Sequence, residues 1–236
     1  MHTFALPPHV LDAIEKRRGG RHHIFNTLDP AKTALVVIDM QNYFVAPDMK
    51  GEVPMAREIV PNINRLAAAT RAAGGRVAWV TNNFPDDITE SWSVMMMDMF
   101  SPERREAMLE HLREGGAGHP LWHELETAPE DWQLYKNRFS AFIQGSSDLE
   151  ARLRAEGRDT VLITGTLTNV CCESSARDAM MIGYRCVMVS DANAARFDED
   201  HLAGLTSFWQ SFGDVRTTDD VIERLLAAPG DARATA

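Results

Sequence analysis

The sequence has few cysteines, three in 236 residues, and this scarcity excludes a disulfide-stabilised fold. Two of them, Cys171 and Cys172, are neighbours, and adjacent cysteines seldom form a bridge because the geometry is strained. Few, unpaired cysteines are typical of a reducing cytosol, in which a reactive thiol persists. No apolar run approaches the roughly 20 residues that span a bilayer, and residues 1–32 show no secretory signal. We therefore expect a cytoplasmic protein without a membrane partner.

Positive charge is also scarce. Lysine and arginine number 24 against 34 acidic residues, which gives a formal net charge of -10. Such a surface repels nucleic acid, so no nucleic-acid partner is predicted. The exception is a basic cluster near the start of the chain, which we interpret as part of a solvated N-terminal arm. It comprises Lys16, Arg17, Arg18, Arg21, His22 and His23.

The chain has no internal repeat and no low-complexity tract, so its length fits one domain. Buried-type apolar runs alternate with stretches of helical periodicity. This predicts a three-layer α/β/α fold around a mostly parallel, doubly wound sheet of about six strands. The predicted strands are residues 34–38, 76–80, 132–135, 160–164, 185–189 and a short one near Val215. We expect an arm (1–32), a single domain (33–228) and a frayed tail (229–236).

An excursion from the sheet is predicted at about 85–129, where the alternation of strands and helices stops. The segment is too short to form a core of its own. It contains the run Met95-Met96-Met97, followed by Met99 and Phe100. Methionine side chains adapt to irregular shapes, so the excursion either packs over the sheet or closes as a lid over a small site.

One cysteine stands where a strand passes into a helix, in the segment Gly165-Thr-Leu-Thr-Asn-Val-Cys171. The first turn of a helix has unpaired N–H groups and a partial positive charge, which favour a thiolate over a thiol. The same N–H groups can bind the oxyanion that forms when a carbonyl is attacked. The segment is therefore suited to a nucleophile, although a buried structural cysteine fits it as well.

Two further polar residues follow predicted strands, Asp39 after the first and Lys136 after the third. Each alone is a weak signal, because such an aspartate often caps a turn and a loop lysine is usually solvated. Parallel strands, however, bring their carboxyl ends to one edge of the sheet. Asp39, Lys136 and Cys171 together at this edge would supply a proton acceptor, a cation and a nucleophile, as a cysteine hydrolase requires.

Several motifs in order along the chain resemble those of the isochorismatase-like hydrolases, also called the cysteine hydrolase superfamily. They are Val37-Ile-Asp-Met-Gln-Asn42, Lys136-Asn-Arg-Phe-Ser-Ala-Phe142, Gly165-Thr-Leu-Thr-Asn-Val-Cys171, Glu173-Ser-Ser-Ala-Arg-Asp-Ala179 and Val189-Ser-Asp-Ala192. Each motif is short, but all of them in register make a specific match. The resemblance extends from about Thr33 to Leu226.

The resemblance implies a catalytic role for four residues. The catalytic trio of the family falls on Asp39, Lys136 and Cys171, since the cysteine directly follows the Thr-Asn-Val tripeptide. An oxyanion hole is implied at the N–H groups of Leu167 and Cys171. The family also has a cis peptide bond four residues before the cysteine, between Thr166 and Leu167 in this sequence.

The resemblance also narrows the chemistry. True isochorismate hydrolases lack a cysteine at this position and cleave a vinyl ether, so Cys171 favours an amide-type substrate. Nicotinamidases of the family bind a metal through an Asp-x-His pair, whereas residues 45–57 contain no histidine. We therefore predict no metal and no other cofactor. His111, His119 and His123 lack the spacing of metal ligands, and surface or packing roles are expected for them.

Among the metal-free amidases, the ureidoacrylate amidohydrolases are the most similar, on the basis of the extended N-terminus and the pair Thr168-Asn169. The substrate contacts that this likeness implies are Gln41, Asn82, Phe84, Arg138 and Phe139. That subgroup has a tyrosine in place of Phe139 and a tryptophan near Phe84, so this pocket differs. Arg138 either binds a substrate carboxylate through two hydrogen bonds or braces its loop through backbone carbonyls.

Three alternatives remain open at this stage. The chain could be an amidase for another small amide, such as nicotinamide or another primary amide. It could be a binding protein without turnover, or a redox sensor built on Cys171 and Cys172. The resemblance further implies a homodimer or homotetramer, and Phe208, Trp209 and Phe212 fit either an interface or the core.

Overall fold

The computed structural model describes residues 2–227, and the predicted tail at 229–236 lies outside that range. Its centre is a sheet of six strands, all parallel, in the order β3-β2-β1-β4-β5-β6. The strands are β1 (Thr33–Ile38), β2 (Arg76–Asn82), β3 (Trp132–Lys136), β4 (Thr160–Thr166), β5 (Arg185–Ala194) and β6 (Asp214–Arg216). The predicted α/β fold with about six strands is confirmed.

The order of the strands determines where a ligand can bind. From the central strand β1 the chain moves outward through β2 to the edge strand β3, then returns to β4 on the other side of β1. Every residue of β1 and β4 is buried, as the continuous apolar runs predict. The direction of winding reverses between these two strands, and such a switch point opens a crevice at the carboxyl ends of the strands.

Helices cover both faces of the sheet. They are α1 (Pro8–Arg17), α2 (Asn42–Val45), α3 (Met55–Ala72), α4 (Ile88–Ser91), α5 (Pro102–His111), α6 (Leu149–Ala155), α7 (Glu173–Met181), α8 (Asp198–Ser211) and α9 (Thr218–Leu226), with π-helical turns at Val94–Met99 and Thr168–Cys172 and a 3-10 turn at Pro30–Lys32. Helices α1, α6, α7 and α8 share a core with Val36 and Ile38 of β1. Helices α3 and α9 pack with Leu35 and Val37 on the opposite face.

The N-terminal arm is docked against the domain. Helix α1 buries Ile14 in the core, and Phe4 packs against the same cluster. Arg18 donates hydrogen bonds to Asp214 Oδ1 and to the Gly213 carbonyl, both at 2.8 Å. Asp214 is fully buried, so the Arg18 charge balances a carboxylate inside the protein. The prediction of a solvated basic arm is therefore wrong for Arg18.

The excursion between β2 and β3 shares a third hydrophobic cluster with α2. Its buried members are Tyr43, Phe44, Phe84, Ile88, Met95, Met96, Met108 and Leu112. Phe139 and Leu167, which follow β3 and β4, pack against this cluster. The excursion therefore lies over the carboxyl end of the sheet. Met97 and Met99, in contrast, are 55% and 64% exposed.

Two sequence expectations concern assembly and membranes. Phe208 and Trp209 are buried in the core of the chain, so they are not free to form an interface, and the expected homo-oligomer stays a prediction. Within residues 2–227, no helix combines the length and the apolar character that crossing a membrane requires. The boundaries of the arm, domain and lid likewise stay predictions.

Candidate active site

Asp39 and Lys136 form a buried ion pair at the carboxyl edge of the sheet. Asp39 follows β1 with φ +53°, in the left-handed region that aspartate tolerates better than most residues. Lys136 ends β3, and its Nζ lies 2.8 Å from Asp39 Oδ2. The same ammonium group donates to Asn82 Oδ1 at 3.1 Å and to the Arg138 carbonyl at 3.0 Å. Three protein oxygen atoms thus surround the ammonium group.

The nucleophile turn, which we define as residues 165–173, joins β4 to α7. Gly165 has φ +109°, and a Cβ atom there would lie 2.0 Å from the carbonyl oxygen of Ile38. Only glycine fits such a position. The hydroxyl of Thr166 donates to the carbonyl of Asp39 at 2.9 Å. These two contacts fix the start of the turn against the end of β1.

The backbone of the nucleophile turn has two special features. The peptide bond between Thr166 and Leu167 is cis, as the resemblance implied. The carbonyl of Leu167 accepts the N–H groups of Val170 at 3.0 Å and of Cys172 at 3.1 Å. Cys171 lies between these two donors, in the first helical turn, where N–H groups lack acceptors further back in the helix. The oxyanion role of the Leu167 and Cys171 N–H groups stays a prediction.

Cys171 completes the cluster, because its buried thiol interacts electrostatically with both Asp39 and Lys136. The three side chains therefore meet at one edge of the sheet, as the strand pattern predicts. Their residues are closed off from solvent, with exposed fractions of 0%, 1% and 3% for Asp39, Lys136 and Cys171.

The ionisation of the thiol differs from the expectation. Burial raises the pKa of Cys171, Lys136 opposes that rise and Asp39 adds to it, with a raised pKa as the result. Cys171 is therefore a protonated thiol in the closed site. The helix N-terminus and the neighbouring ammonium favour the thiolate, but removal from water outweighs both.

The ion pair has its own electrostatic balance. Burial raises the pKa of Asp39 and the Lys136 charge opposes it, which leaves the pKa raised. For Lys136, burial lowers the pKa, but Asp39 and Cys171 outweigh that effect and the pKa is raised. A carboxylate with a raised pKa is a stronger base than an exposed aspartate. The site thus combines a proton acceptor, a fixed positive charge and a thiol.

Two of the predicted substrate contacts, Gln41 and Asn82, bind each other. The N–H of Asn82 donates to Gln41 Oε1 at 2.7 Å, and Gln41 Nε2 donates to the Asn82 carbonyl at 3.2 Å. This pair ties the end of β1 to the end of β2 and leaves the Asn82 side chain on Lys136. Substrate contact by either residue stays a prediction.

Arg138 braces its loop in the closed structure. Its guanidinium donates to the carbonyls of Asn137 at 2.9 Å and Ser91 at 2.8 Å. Its central carbon lies 5.1 Å from the ring centroid of Trp92. Of the two roles considered for Arg138, loop bracing is therefore the geometry observed, and carboxylate binding stays a prediction.

Aromatic side chains line the boundary between the site and the excursion. Phe84 is buried there, and Phe139 meets Trp92 edge-on with ring centroids 4.7 Å apart. Trp92 was not among the residues predicted for the site. No periodicity in the excursion indicates which of its side chains face the sheet, so the sequence carried no signal for Trp92.

Metal ligands were not expected from the sequence. Across residues 2–227, no group of three or more His, Cys, Asp or Glu side chains is placed to hold a metal ion. The histidines of the excursion instead lie beside aromatic rings, His111 by Tyr43, His119 by Tyr135 and His123 by Trp122. The packing roles expected for these histidines agree with that arrangement, and independence from cofactors stays a prediction.

A doubly wound parallel sheet with a cysteine, an aspartate and a lysine at its carboxyl edge is the architecture of a cysteine hydrolase. A family model, the isochorismatase domain, matches residues 33–220. The chain therefore belongs to the isochorismatase family, whose members include cysteine hydrolases and amidases that act on amide C–N bonds, and it is a hydrolase.

Individual relatives agree with the family but differ in activity. An uncharacterized isochorismatase family protein of Bacillus subtilis, YwoC, is 32% identical over 86% of this chain and all of its own length. A cysteine hydrolase from Pseudomonas syringae has a TM-score of 0.75 at 29% identity, over 84% of this chain and 94% of its own.

Two amidases of known structure are similar to the chain to a comparable degree. N-carbamoylsarcosine amidase from Thermoplasma acidophilum has a TM-score of 0.64 at 28% identity, over 80% of this chain and 97% of its own. Nicotinamidase from Bacillus subtilis has a TM-score of 0.65 at 26% identity, over 78% and 99% of the two chains. The comparisons thus agree on an amidase-type hydrolase and leave its substrate open.

Proposed function

We propose that this protein hydrolyses a C–N bond of a small N-carbamoyl (ureido) acid, with Cys171 as the nucleophile. The observation that carries the proposal is the buried contact of Cys171 with Asp39 and Lys136. A thiol beside a base can divide the hydrolysis of an amide-type bond into two easier steps through a covalent intermediate. A fixed cation nearby keeps the base ionised.

In the first step Asp39 takes the proton of the Cys171 thiol as the sulfur attacks the carbonyl carbon. A bond forms between sulfur and carbon, and the N–H groups of Leu167 and Cys171 bind the resulting oxyanion. Asp39 then returns the proton to the nitrogen, the C–N bond breaks, and the amine or ammonia leaves. The raised pKa of Asp39 suits it to take a proton from a thiol whose own pKa is raised by burial.

In the second step water releases the acyl or carbamoyl group from the enzyme. Asp39, again ionised, takes a proton from the water as its oxygen attacks the thioester carbon. The C–S bond then breaks, and the sulfur recovers its proton from Asp39. The charge of Asp39 raises the pKa of Lys136 whenever Asp39 is ionised. While Asp39 holds the proton, the oxyanion carries the negative charge, so Lys136 remains charged. No metal is needed to generate the hydroxide equivalent in this scheme.

An anionic substrate is favoured by three groups near the same edge. Arg196 follows β5 by two residues, Tyr43 follows Asp39 by four, and Arg104 belongs to α5 of the excursion. Burial raises the pKa of the Tyr43 hydroxyl, and the charges of Arg104 and Arg196 oppose that rise. The Tyr43 hydroxyl has no hydrogen-bond partner within residues 2–227. Arg196 also donates to the carbonyls of Glu52 and Gly51, at 2.9 and 3.0 Å, which fixes its guanidinium group. The positive charges of Arg104 and Arg196 and the Tyr43 hydroxyl suit the carboxylate of a ureido acid.

The excursion is proposed to act as a lid. With Asp39, Lys136 and Cys171 buried, a substrate can reach the sulfur only if part of the cover moves. The contacts of the excursion with Phe139 and Leu167 are hydrophobic, and such contacts are non-directional and easily re-formed. The methionines among them can adapt to a bound ligand.

The proposal is tested by measuring ammonia release from a matched panel: N-carbamoyl-β-alanine, its uncharged amide, nicotinamide and urea. We expect turnover to be fastest with the ureido acid and to be lost in Cys171→Ala. Near-normal turnover by Cys171→Ala would overturn the mechanism. A preference for nicotinamide, with Cys171 still required, would instead support the alternative of an amidase for primary amides.

The choice of an acid is tested separately by Arg196→Gln and Arg104→Gln. Because a hydrogen bond to a charged group contributes about 1.5–3 kcal/mol, each change should raise KM for the ureido acid about tenfold or more. KM for the uncharged amide should stay nearly constant. Arg65→Gln is the control, because Arg65 is exposed and pairs with Asp219 on the surface. Equal effects on the acid and on its amide would contradict the anion site.

A further inference from the structure

Helix α8 supports the nucleophile turn from outside the sheet. His201, in the first turn of α8, is fully buried. Its Nδ1 lies 2.9 Å from the hydroxyl oxygen of Thr168, and Thr168 is the first residue of the π-helical turn that carries Cys171. The buried imidazole of His201 is therefore hydrogen-bonded to Thr168, three residues before Cys171.

A second contact of α8 holds the next residue of the turn. Gly204 lies three residues after His201, on the same side of the helix. A Cβ atom on Gly204 would come within 3.1 Å of the Asn169 Cα and 3.2 Å of its Cβ. The helix therefore approaches the backbone of the turn as closely as a glycine allows. His201 and Gly204 contact two consecutive residues of the turn, Thr168 and Asn169.

The plane of the His201 ring is itself held in place by His2. The two rings are stacked, with centroids 4.6 Å apart and planes 20° apart. His2 is fixed by Asp198 Oδ1, 2.6 Å from its Nδ1, and by the N–H of Ala195, 3.0 Å from its Nε2. The ring of His201 thus has little freedom to swing away from Thr168.

A neutral imidazole suits this position. Burial, with a smaller effect from the neighbouring His2, lowers the pKa of His201 to about 4, so the ring is uncharged near pH 7. Its Nδ1 and the Thr168 hydroxyl can each donate or accept, and the pair always has one hydrogen bond available. An apolar side chain of similar size would remove this partner of the buried Thr168 hydroxyl.

We propose that His201 is a positioning residue: its hydrogen bond to Thr168 holds the nucleophile turn so that the Cys171 sulfur and the oxyanion-binding N–H groups keep the geometry needed for attack. This inference rests on the proposed function. A displacement of about 1 Å at a reacting group can cost about 100-fold in rate. Because the oxyanion forms only in the transition state, the loss should appear in kcat and not in KM.

The test uses two pairs of variants in the full-length protein. His201→Phe keeps the ring volume and removes Nδ1, whereas His201→Asn keeps a polar group at the place of Nδ1. Thr168→Val removes the hydroxyl with little change of shape, whereas Thr168→Ser keeps it. We expect His201→Phe and Thr168→Val to lower kcat about 10- to 100-fold with little change in KM. His201→Asn and Thr168→Ser should retain most of kcat.

A double variant checks that both changes break the same contact. His201→Phe with Thr168→Val should be little worse than either single change, because residues that share one interaction are not additive. Should His201→Phe fail to fold, Thr168→Val alone carries the test. The stability control is Thr218→Val, which removes a buried hydroxyl bonded to Asp191 Oδ1 at 2.8 Å, far along the chain from the site.

A readout without substrate separates this inference from the proposed function. Iodoacetamide labelling, quantified by peptide mass spectrometry, should be slower at Cys171 in His201→Phe and Thr168→Val than in the wild type. Labelling of wild-type Cys171 no faster than that of Cys172 and Cys186 would overturn the proposed function. Fast wild-type labelling, with kcat and labelling unchanged in both variants, would overturn only the positioning role. So would a matching loss of kcat in Thr218→Val.

Discussion

The two walls of the candidate site are built in opposite ways. The nucleophile turn (165–173) is held by directional contacts: Gly165 against the Ile38 carbonyl, and the Thr166 hydroxyl on the Asp39 carbonyl. Residues 117–122 of the excursion are hydrogen-bonded to residues 40–43. Its Met-rich part is instead held mainly by hydrophobic side chains such as Met95 and Met96, with the bond from Arg138 to the Ser91 carbonyl beside them. Directional contacts keep atoms at fixed distances, whereas hydrophobic contacts tolerate sliding. We therefore assign the chemistry to the nucleophile turn and the entry of substrate to a movement of the excursion.

The largest difference between the walls should appear in turnover. We expect Cys171→Ala to lower kcat about 1,000-fold or more, because a nucleophile and its base act as a unit. Cys172→Ala is the matched control, since Cys172 is the adjacent buried thiol and lies outside the scheme. Steady-state kinetics on the preferred substrate provides the measurement. Similar losses in the two variants would mean that the turn, and not its sulfur, is what matters.

The buried ion pair of Asp39 and Lys136 should contribute strongly to the stability of the site. Lys136→Met leaves the buried Asp39 carboxylate without its cation, and breaking a buried pair in this way costs about 3–5 kcal/mol in free energy of unfolding. Asp39→Asn combined with Lys136→Met removes both charges and should be less destabilised than the sum of the two single variants. Denaturant unfolding provides the comparison. Strict additivity would show that the two groups do not depend on each other.

Within the excursion, two neighbouring methionines should contribute very differently to the free energy of unfolding. Met96 is fully buried and Met97 is 55% exposed. Met96→Ala should lower the free energy of unfolding by about 2–4 kcal/mol through the cavity it creates. Met97→Ala should change it by less than about 0.5 kcal/mol. If unfolding experiments gave equal values, the excursion would not be packed on the sheet as described.

A graded effect on the free energy of unfolding is expected at alkaline pH. Burial raises the thiol pKa of Cys171, Cys172 and Cys186 in the folded protein. As pH rises through about 8.5, the unfolded thiols lose protons that the folded ones retain. The unfolded state then binds fewer protons, so the free energy of unfolding falls with rising pH.

Cys186→Ala provides the control for this slope, because Cys186 lies in β5, outside the nucleophile turn. Without Cys186, the free energy of unfolding should fall less steeply between about pH 8 and pH 10, because one thiol fewer ionises only in the unfolded state. A free energy of unfolding that stayed constant over this range would mean that the thiols ionise in the folded protein. Cys171 would then be a ready thiolate, contrary to the closed site described above.

The positions of Asp39 and Cys171 are predicted well from the sequence, because the strands that precede them give local signals. Central strands such as β1 and β4 are continuous apolar runs, and Asp39 and Cys171 stand at their ends. The common edge of parallel strands then brings these residues together without any further information. Lys136 was weaker as a signal, since nothing in its own neighbourhood distinguishes it from a solvated lysine.

Strand β5 shows where local signals fail. It was expected to end at Val189, but it continues to Ala194 through the polar residues Ser190, Asp191 and Asn193. The side-chain amide of Asn193 donates to the carbonyls of Ile163 and Val189, at 2.9 and 2.7 Å. These bonds satisfy acceptors where the register between β4 and β5 shifts. A polar residue thus replaces backbone pairing, which a search for apolar runs does not detect.

The N-terminal arm was predicted least well, because its structure depends on distant contacts. Helix α1 was read as part of a solvated basic arm, yet Arg18 pairs with Asp214 at the far end of the chain. His201 gave no sequence signal either, since its partner Thr168 lies 33 residues away. Side chains such as these are recognised only after the fold has brought their partners together.

The most direct test of the central claim is to trap the covalent intermediate. The protein would be mixed with its preferred substrate, quenched in acid, digested and analysed by mass spectrometry. An acyl or carbamoyl group on Cys171 is predicted, present during turnover and lost when the substrate is exhausted. Turnover with every Cys171 peptide unmodified, or a modification on Cys172 instead, would contradict the assignment of Cys171 as the nucleophile.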